Sequence, residues 1–198
     1  MNTFSTVFAT PIMTLVCKSA SEINPVIHKT IKGMATDRPS DDRGRAHVGG
    51  WYSRGGFLSR PQPEIRLLKE FIQGSVREYI AKAGDNSTAE RTRLDIHSWV
   101  ALTQPNDYQS PHVHPKSQIS AVYYVNVPDT PPPQGNLVFV TPLCEQEMSF
   151  VPSLSPSSMS VKPQGGMLVL FPSYLRHYTH PFYSGEDRSL VVATINVG

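Results

Sequence analysis

The stretch SPHVHPKSQISAVYYVNV, residues 110–127, decides the reading of this chain. It sets His112 and His114 two apart, directly before an apolar run. On an extended backbone that spacing sends both side chains to one face. Pro111 and Pro115 restrict the flanking chain to extended conformations. Two imidazoles on one face are either two arms of a metal site or a pair of surface histidines, and the spacing alone leaves both readings open.

Outward from this stretch the hydrophobic period stays near two. RLDIHSWVALT (93–103), QISAVYYVNV (118–127), NLVFV (136–140), EMSFV (147–151), SMSVK (158–162), GMLVLF (166–171) and SLVVATINV (189–197) each read as a strand. Proline, glycine, asparagine and aspartate clusters separate them. About seven short strands in succession predict an antiparallel sandwich or barrel of the jelly-roll kind. PDTPPPQG (128–135) reads as a stiff turn between strands.

Upstream the pattern changes. Thr6 to Val16 reads as a strand. SEINPVIHKTIKGMA (21–35) carries Ile23, Val26, Ile27, Ile31 and Met34 at helical spacing, with Pro25 in the first turn. Residues 36–61 are polar, charged and glycine-rich, and predict a long loop with Trp51 in the segment GGWYS. PEIRLLKEFIQGSVREYIAKAG (63–84) is the strongest helix, with Ile65, Leu68, Phe71, Ile72, Val76, Tyr79 and Ile80 on one face and Gly84 as its stop. The chain is therefore expected to form one domain over residues 1–198. In it, a strand and supporting helices (1–91) flank a jelly-roll core (92–198).

Composition narrows the function. Of 198 residues, 39% are hydrophobic and 17% charged, which excludes a disordered or coiled-coil chain. A net charge of +2 with no basic run argues against nucleic acid. Cys17 and Cys144 are the only cysteines, so a cysteine-based zinc site is not expected. The apolar start lacks a basic region and is broken by Pro11, and no run reaches the ~18–20 apolar residues of a membrane helix, so a cytoplasmic location is expected.

The second half offers further ligands. GGMLVLFPSYLRHYTHPFYSGEDRSLVVATINV (165–197) carries His177 after an apolar strand and its turn, then Arg188 at the start of the next strand. A histidine at one strand end and an arginine in the following strand can face one cavity of a jelly roll. Arginine is the side chain best suited to fork onto a carboxylate there.

Together these motifs resemble the Fe(II)- and 2-oxoglutarate-dependent oxygenases, whose pattern is His-x-acid, then His, then Arg. The segments FATPI, GGWYS, HVHPKSQISAVYYVNVP and GGMLVLFPSYLRHYTHP narrow the resemblance to small bacterial and phage members. It implies a mainly β fold with flanking helices, a cupin-like double-stranded β-helix. It also implies a dioxygenase that hydroxylates an unidentified small-molecule or peptidyl substrate with O2, releasing succinate and CO2. His112, His114 and His177 would hold Fe(II), and Arg188 would pair with 2-oxoglutarate.

Two departures stand out. His114 replaces the usual carboxylate, so the metal site is one unit more positive, an excess that the 2-oxoglutarate dianion partly offsets; Asp107 is the alternative carboxylate. Leu190 stands where many members place a serine that contacts the cosubstrate. Ser189 should face the other way, which leaves Tyr108 or Tyr123 as the hydroxyl. His97, Asp107 and Asn196 are candidates for orienting the ligands. Two other readings fit the sequence: a cupin-like three-histidine metalloenzyme that does not use 2-oxoglutarate, and a non-catalytic jelly-roll module.

Overall fold

The computed structural model describes residues 9–41, 46–84, 92–143, 157–183 and 185–198. Strands β1 (Met13–Val16), β2 (His47–Val48), β3 (Trp51–Tyr52) and β4 (Leu94–Thr103) come first. β5 (Tyr108–Gln109), β6 (Ile119–Asn126), β7 (Leu137–Val140) and β8 (Ser158–Val161) follow. β9 (Met167–Pro172), β10 (His177–Thr179) and β11 (Arg188–Val197) complete the set. Helix α1 (Ala20–Asp37) lies between β1 and β2, and helix α2 (Pro63–Ala83) between β3 and β4.

A six-stranded antiparallel sheet has the order β1-β9-β6-β11-β4-β3. A three-stranded sheet, β10-β7-β8, and a two-stranded ribbon, β2-β5, complete the β structure. The expected helices and six of the expected core strands are found. The expected strand 147–151 and residues 6–8 of the first expected strand lie outside the described residues. The polar stretch 36–61 holds more order than expected: β2, β3 and a 3-10 turn over Phe57–Ser59. β3 pairs with β4 and β1 with β9, so N-terminal strands extend the core sheet on both edges.

Both faces of the large sheet are buried. Ile23, Ile27 and Ile31 of α1, with Ile65, Leu68, Ile72 and Val76 of α2, pack against one face through Val100, Tyr123, Leu170 and Val191. Trp99, Val122, Tyr124, Val169, Phe171 and Val192 on the other face pack against Leu137 and Phe139 of the small sheet. Burying this apolar area is the main favourable term of the fold. Pro63 opens α2 at a position where its missing N–H costs nothing. Gly74, inside α2, has no atom within 4 Å of where a Cβ would stand, so packing does not require it.

Register assigns each residue its side. Directly opposed residues of an antiparallel pair share a face. β11 runs against β4 without a break, from Arg188↔Thr103 through Leu190↔Ala101, Val192↔Trp99 and Thr194↔His97. Against β6 the register shifts between Ser189 and Leu190, so that Leu190 faces Tyr124 and Val191 faces Tyr123. The even-numbered residues of β11 therefore look into the space between the sheets, together with Tyr124. The odd-numbered ones look toward the helices with Tyr123.

Candidate metal and cosubstrate site

The segment after β5 crosses to β10. His112 N donates to His177 O at 2.9 Å and His177 N to His112 O at 3.0 Å, an isolated antiparallel bridge. His114 N donates to Ser173 O at 3.0 Å. Two sequence-distant segments are thereby sewn together, and three imidazoles meet. One nitrogen from each of His112, His114 and His177 lies within 4.8 Å of the others.

The outer nitrogens are committed. His112 Nδ1 bonds Ser110 O at 2.7 Å, and His177 Nδ1 bonds Leu175 O at 2.9 Å. A carbonyl only accepts, so each ring must carry its proton on Nδ1 and present Nε2 as an acceptor. His114 Nδ1 instead meets Ser120 Oγ at 2.7 Å, and Ser120 Oγ meets Ser173 Oγ at 2.8 Å. A hydroxyl can donate or accept, so this ring is held in place without its tautomer being fixed. Burial pushes His177 down to about 4, with the nearby His112 adding to the effect, and burial also lowers His112. Both rings are thus neutral near pH 7, the form that binds a metal. Three imidazoles suit a divalent first-row transition metal and leave coordination positions open.

The histidines open onto a cavity of about 280 Å³ between the sheets. Its walls include Tyr52, His97, Trp99, Gln109, Tyr124 and Leu190, and among the described residues no Lys, Arg, Asp or Glu side chain lines it. The Trp99 ring meets His114 edge-on with centroids 5.7 Å apart, and His47 stacks on Tyr52 at 4.1 Å.

Arg188 lies behind this cavity on the same row of β11 as Leu190. It is only 1% exposed. Its Nε donates to Thr103 Oγ1 at 3.3 Å and its NH1 to Gly135 O at 2.9 Å, and its guanidinium lies 5.0 Å from the Phe182 ring centroid. Gly135 ends the proline-rich turn expected at 128–135. None of the described carboxylates forms an ion pair with Arg188. Burial pulls its pKa down, and Tyr124 and Tyr52, both cavity residues, with Asp107 more weakly, act in the opposite direction. A buried guanidinium that bonds only neutral acceptors is costly, and a ligand carboxylate would offset that cost. The residues present therefore fit both groups: imidazoles for a metal and a guanidinium for an anionic cosubstrate.

Several expected positions need correction. Tyr123 does not face the cavity: its hydroxyl donates to Asn24 Oδ1 of α1 at 2.7 Å. Tyr124 is the tyrosine that lines the cavity, and burial pushes it up to about 12. Tyr108 is 36% exposed on the two-stranded ribbon and is not on the cavity wall; its neighbour Gln109 is. Asp107 is a turn residue. Its Oδ2 accepts from Gln104 N at 2.7 Å, and it lies outside the group of possible metal ligands. His97 lines the cavity and tilts against Trp99, but makes no hydrogen bond to the three histidines. Asn196 is exposed and donates to Lys116 O at 3.3 Å, bracing the loop just after His114. Ser189 faces away as expected, toward His28 Nδ1 at 2.8 Å. Sequence reasoning missed Ser120 and Ser173, although both stand in the quoted motifs.

Known proteins bear on this geometry. The sequence profile of a family described as "Putative 2OG-Fe(II) oxygenase" matches residues 97–193. Among solved structures, a Pseudomonas putida prolyl-4-hydroxylase is similar at 17% identity and a TM-score of 0.63, over 93% of this chain and 91% of that one. The carbocyclase SnoK of nogalamycin biosynthesis is similar at 14% identity and a TM-score of 0.65, over 94% of this chain and 79% of that one. HygX from Streptomyces hygroscopicus, solved with nickel, 2-oxoglutarate and hygromycin B, is similar at 13% identity and a TM-score of 0.59, over 94% of this chain and 83% of that one. No curated protein matches in sequence.

The fold is the double-stranded β-helix shared with these structures. Residues 97–193 match the Fe(II)- and 2-oxoglutarate-dependent oxygenases, an oxidoreductase family whose cofactors are Fe(II) and 2-oxoglutarate. Among the described residues no helix is long and apolar enough to cross a membrane.

Proposed function

We propose that this oxygenase is a hydroxylase in which His112, His114 and His177 hold Fe(II) and Arg188 anchors the distal carboxylate of 2-oxoglutarate. The observation that carries the reading is the meeting of three imidazoles at one cavity, with a buried guanidinium behind its Tyr124 wall that forms no ion pair among the described residues. With both cofactors bound, the family's chemistry turns substrate, O2 and 2-oxoglutarate into hydroxylated substrate, succinate and CO2.

The chain's own residues supply binding, orientation and exclusion of water. Ser110 and Leu175 carbonyls fix the tautomers of two ligands, and the Ser120–Ser173 pair orients the third. Tyr124 offers its hydroxyl on the side where Arg188 lies, in place of the serine that Leu190 replaces. Trp99, Tyr52 and His47 present ring faces to the substrate. Among the described residues the wall carries no carboxylate, ammonium or guanidinium side chain, which favours a neutral group for hydroxylation, on a small molecule or a peptide.

The test is succinate formation from 2-oxoglutarate with Fe(II), in the parent and in His177→Ala and Arg188→Met. The reading predicts turnover in the parent and a loss of at least ~100-fold in His177→Ala, as befits removal of a metal ligand. It predicts a 2-oxoglutarate affinity at least ~10-fold weaker in Arg188→Met, the scale of one charge-assisted hydrogen bond. Equal 2-oxoglutarate affinity in a folded Arg188→Met variant contradicts Arg188's role. Iron bound without any 2-oxoglutarate binding in the parent contradicts the hydroxylase reading.

A further inference from the structure

The 36–61 stretch builds a second cavity, about 580 Å³, roughly twice the volume of the one at the histidines. Three arginines line it: Arg38, Arg54 and Arg60. Among the described residues Asp41 is the one carboxylate on its wall. None of the three arginines forms an ion pair among the described residues, whereas Lys32, Lys82 and Lys162 each do. The Arg60 Nε is buried with no hydrogen-bond partner. Trp51 and Phe57 supply apolar wall. The Trp51 indole N–H donates to Arg38 O at 2.9 Å, which fixes the ring and the backbone of one arginine together. Gly56, at φ +89°, lines the cavity and has nothing within 4 Å of where a Cβ would stand.

We infer that this cavity is a second binding site, for a phosphate ester with an apolar or flat body. Three positively charged residues on one wall repel one another, and the buried Arg60 Nε lacks an acceptor. An anion relieves both costs. A single carboxylate is satisfied by one forked arginine, whereas a phosphate offers three terminal oxygens to several forks. Trp51 and Phe57 then bury the body of the ligand. This site is not the cosubstrate site. It lies on the other side of Gly55, whose Cβ would stand 2.2 Å from His97 Cε1, and His97 lines the histidine cavity. A ligand here would press on the strand-to-turn segment that carries Tyr52 and Gly55 at the edge of the first cavity.

The experiment is calorimetric titration of the full-length chain with phenyl phosphate, inorganic phosphate, phenol and 2-oxoglutarate. The variants are Arg38→Gln, Arg54→Gln and Arg60→Gln. Arg38 and Arg54 are exposed, so their variants are expected to fold even if Arg60→Gln does not. Saturable 1:1 binding of phenyl phosphate is expected, stronger than that of inorganic phosphate, with no phenol binding. Affinity is expected to fall at least ~10-fold in Arg38→Gln/Arg54→Gln, consistent with loss of charge-assisted bonds. It should be unchanged in Arg188→Met. Absence of saturable binding, equal affinity in the double variant, or competition by 2-oxoglutarate that disappears in Arg188→Met would overturn the inference.

Discussion

His112 and His177 exchange two backbone hydrogen bonds, at 2.9 and 3.0 Å, across one isolated bridge, and each carries an imidazole toward the same point. The bridge fixes the spacing of two candidate ligands through the backbone rather than through the side chains. The site is therefore organised before any ion arrives. His112→Ala and His177→Ala should each remove stoichiometric iron while the fold persists. Metal analysis after anaerobic loading, with far-ultraviolet circular dichroism as the control, checks this; full iron content in either variant contradicts it.

His114 is held by hydroxyls where its two partners are held by carbonyls. Ser120→Ala removes the hydroxyl partner at 2.7 Å and lets the ring turn. Metal affinity should drop about 10–100-fold, the usual cost of losing a partner that orients a ligand. Competition with a fluorescent chelator measures it. Ser120→Thr, which keeps the hydroxyl, should recover part of the loss, and an unaltered affinity in Ser120→Ala would remove the serine pair from the site.

Acid should weaken the metal-free protein in a defined window. The folded state holds His177 near 4 against an ordinary value of 6.5. Between those values the unfolded chain binds the extra proton. Stability is therefore complete above about pH 6.5 and declines as pH falls toward about 4, by ~3 kcal/mol at most from this group. His112 shifts in the same direction. Urea melts of chelator-treated protein across this range should show the decline, and His177→Leu should show a shallower one. Equal slopes in the two proteins would place the titration elsewhere.

Tyr123 and Tyr124 are neighbours with opposite assignments. Tyr124→Phe should weaken 2-oxoglutarate binding several-fold with little effect on stability. Tyr123→Phe should leave 2-oxoglutarate binding alone and destabilise the fold by about 1 kcal/mol, since it leaves Asn24 Oδ1 without its donor. Thermal melts and 2-oxoglutarate titrations on both variants separate the two roles.

These two tyrosines also mark where sequence reading stops. The β-rich core, both helices and the grouping of His112, His114 and His177 were legible because each sits in a short motif or a clear hydrophobic period. Which face of β6 looks inward was not. Helices cover one side of the sheet and the small sheet covers the other, so β6 is buried on both faces and its pattern carries no polar side to orient it. Alternation says that Tyr123 and Tyr124 diverge, but only the packing of α1 and the register shift at Ser189 and Leu190 say which one enters the cavity. β10 was missed because three residues are too few for a period and its pairing partners are distant in sequence. Asp107 drew attention as a spare carboxylate near His112. Nearness in sequence does not make it a ligand: its turn bond to Gln104 leaves it outside the group of possible metal ligands.

The central claim is that three imidazoles and no carboxylate hold the iron. Crystals grown without oxygen in the presence of Fe(II) and 2-oxoglutarate, with anomalous data at the iron edge, measure this directly. The account predicts one iron peak about 2.0–2.2 Å from each Nε2 of His112, His114 and His177, with a 2-oxoglutarate carboxylate on the guanidinium of Arg188. Iron coordinated by Asp107, or by only two of these histidines, would contradict it.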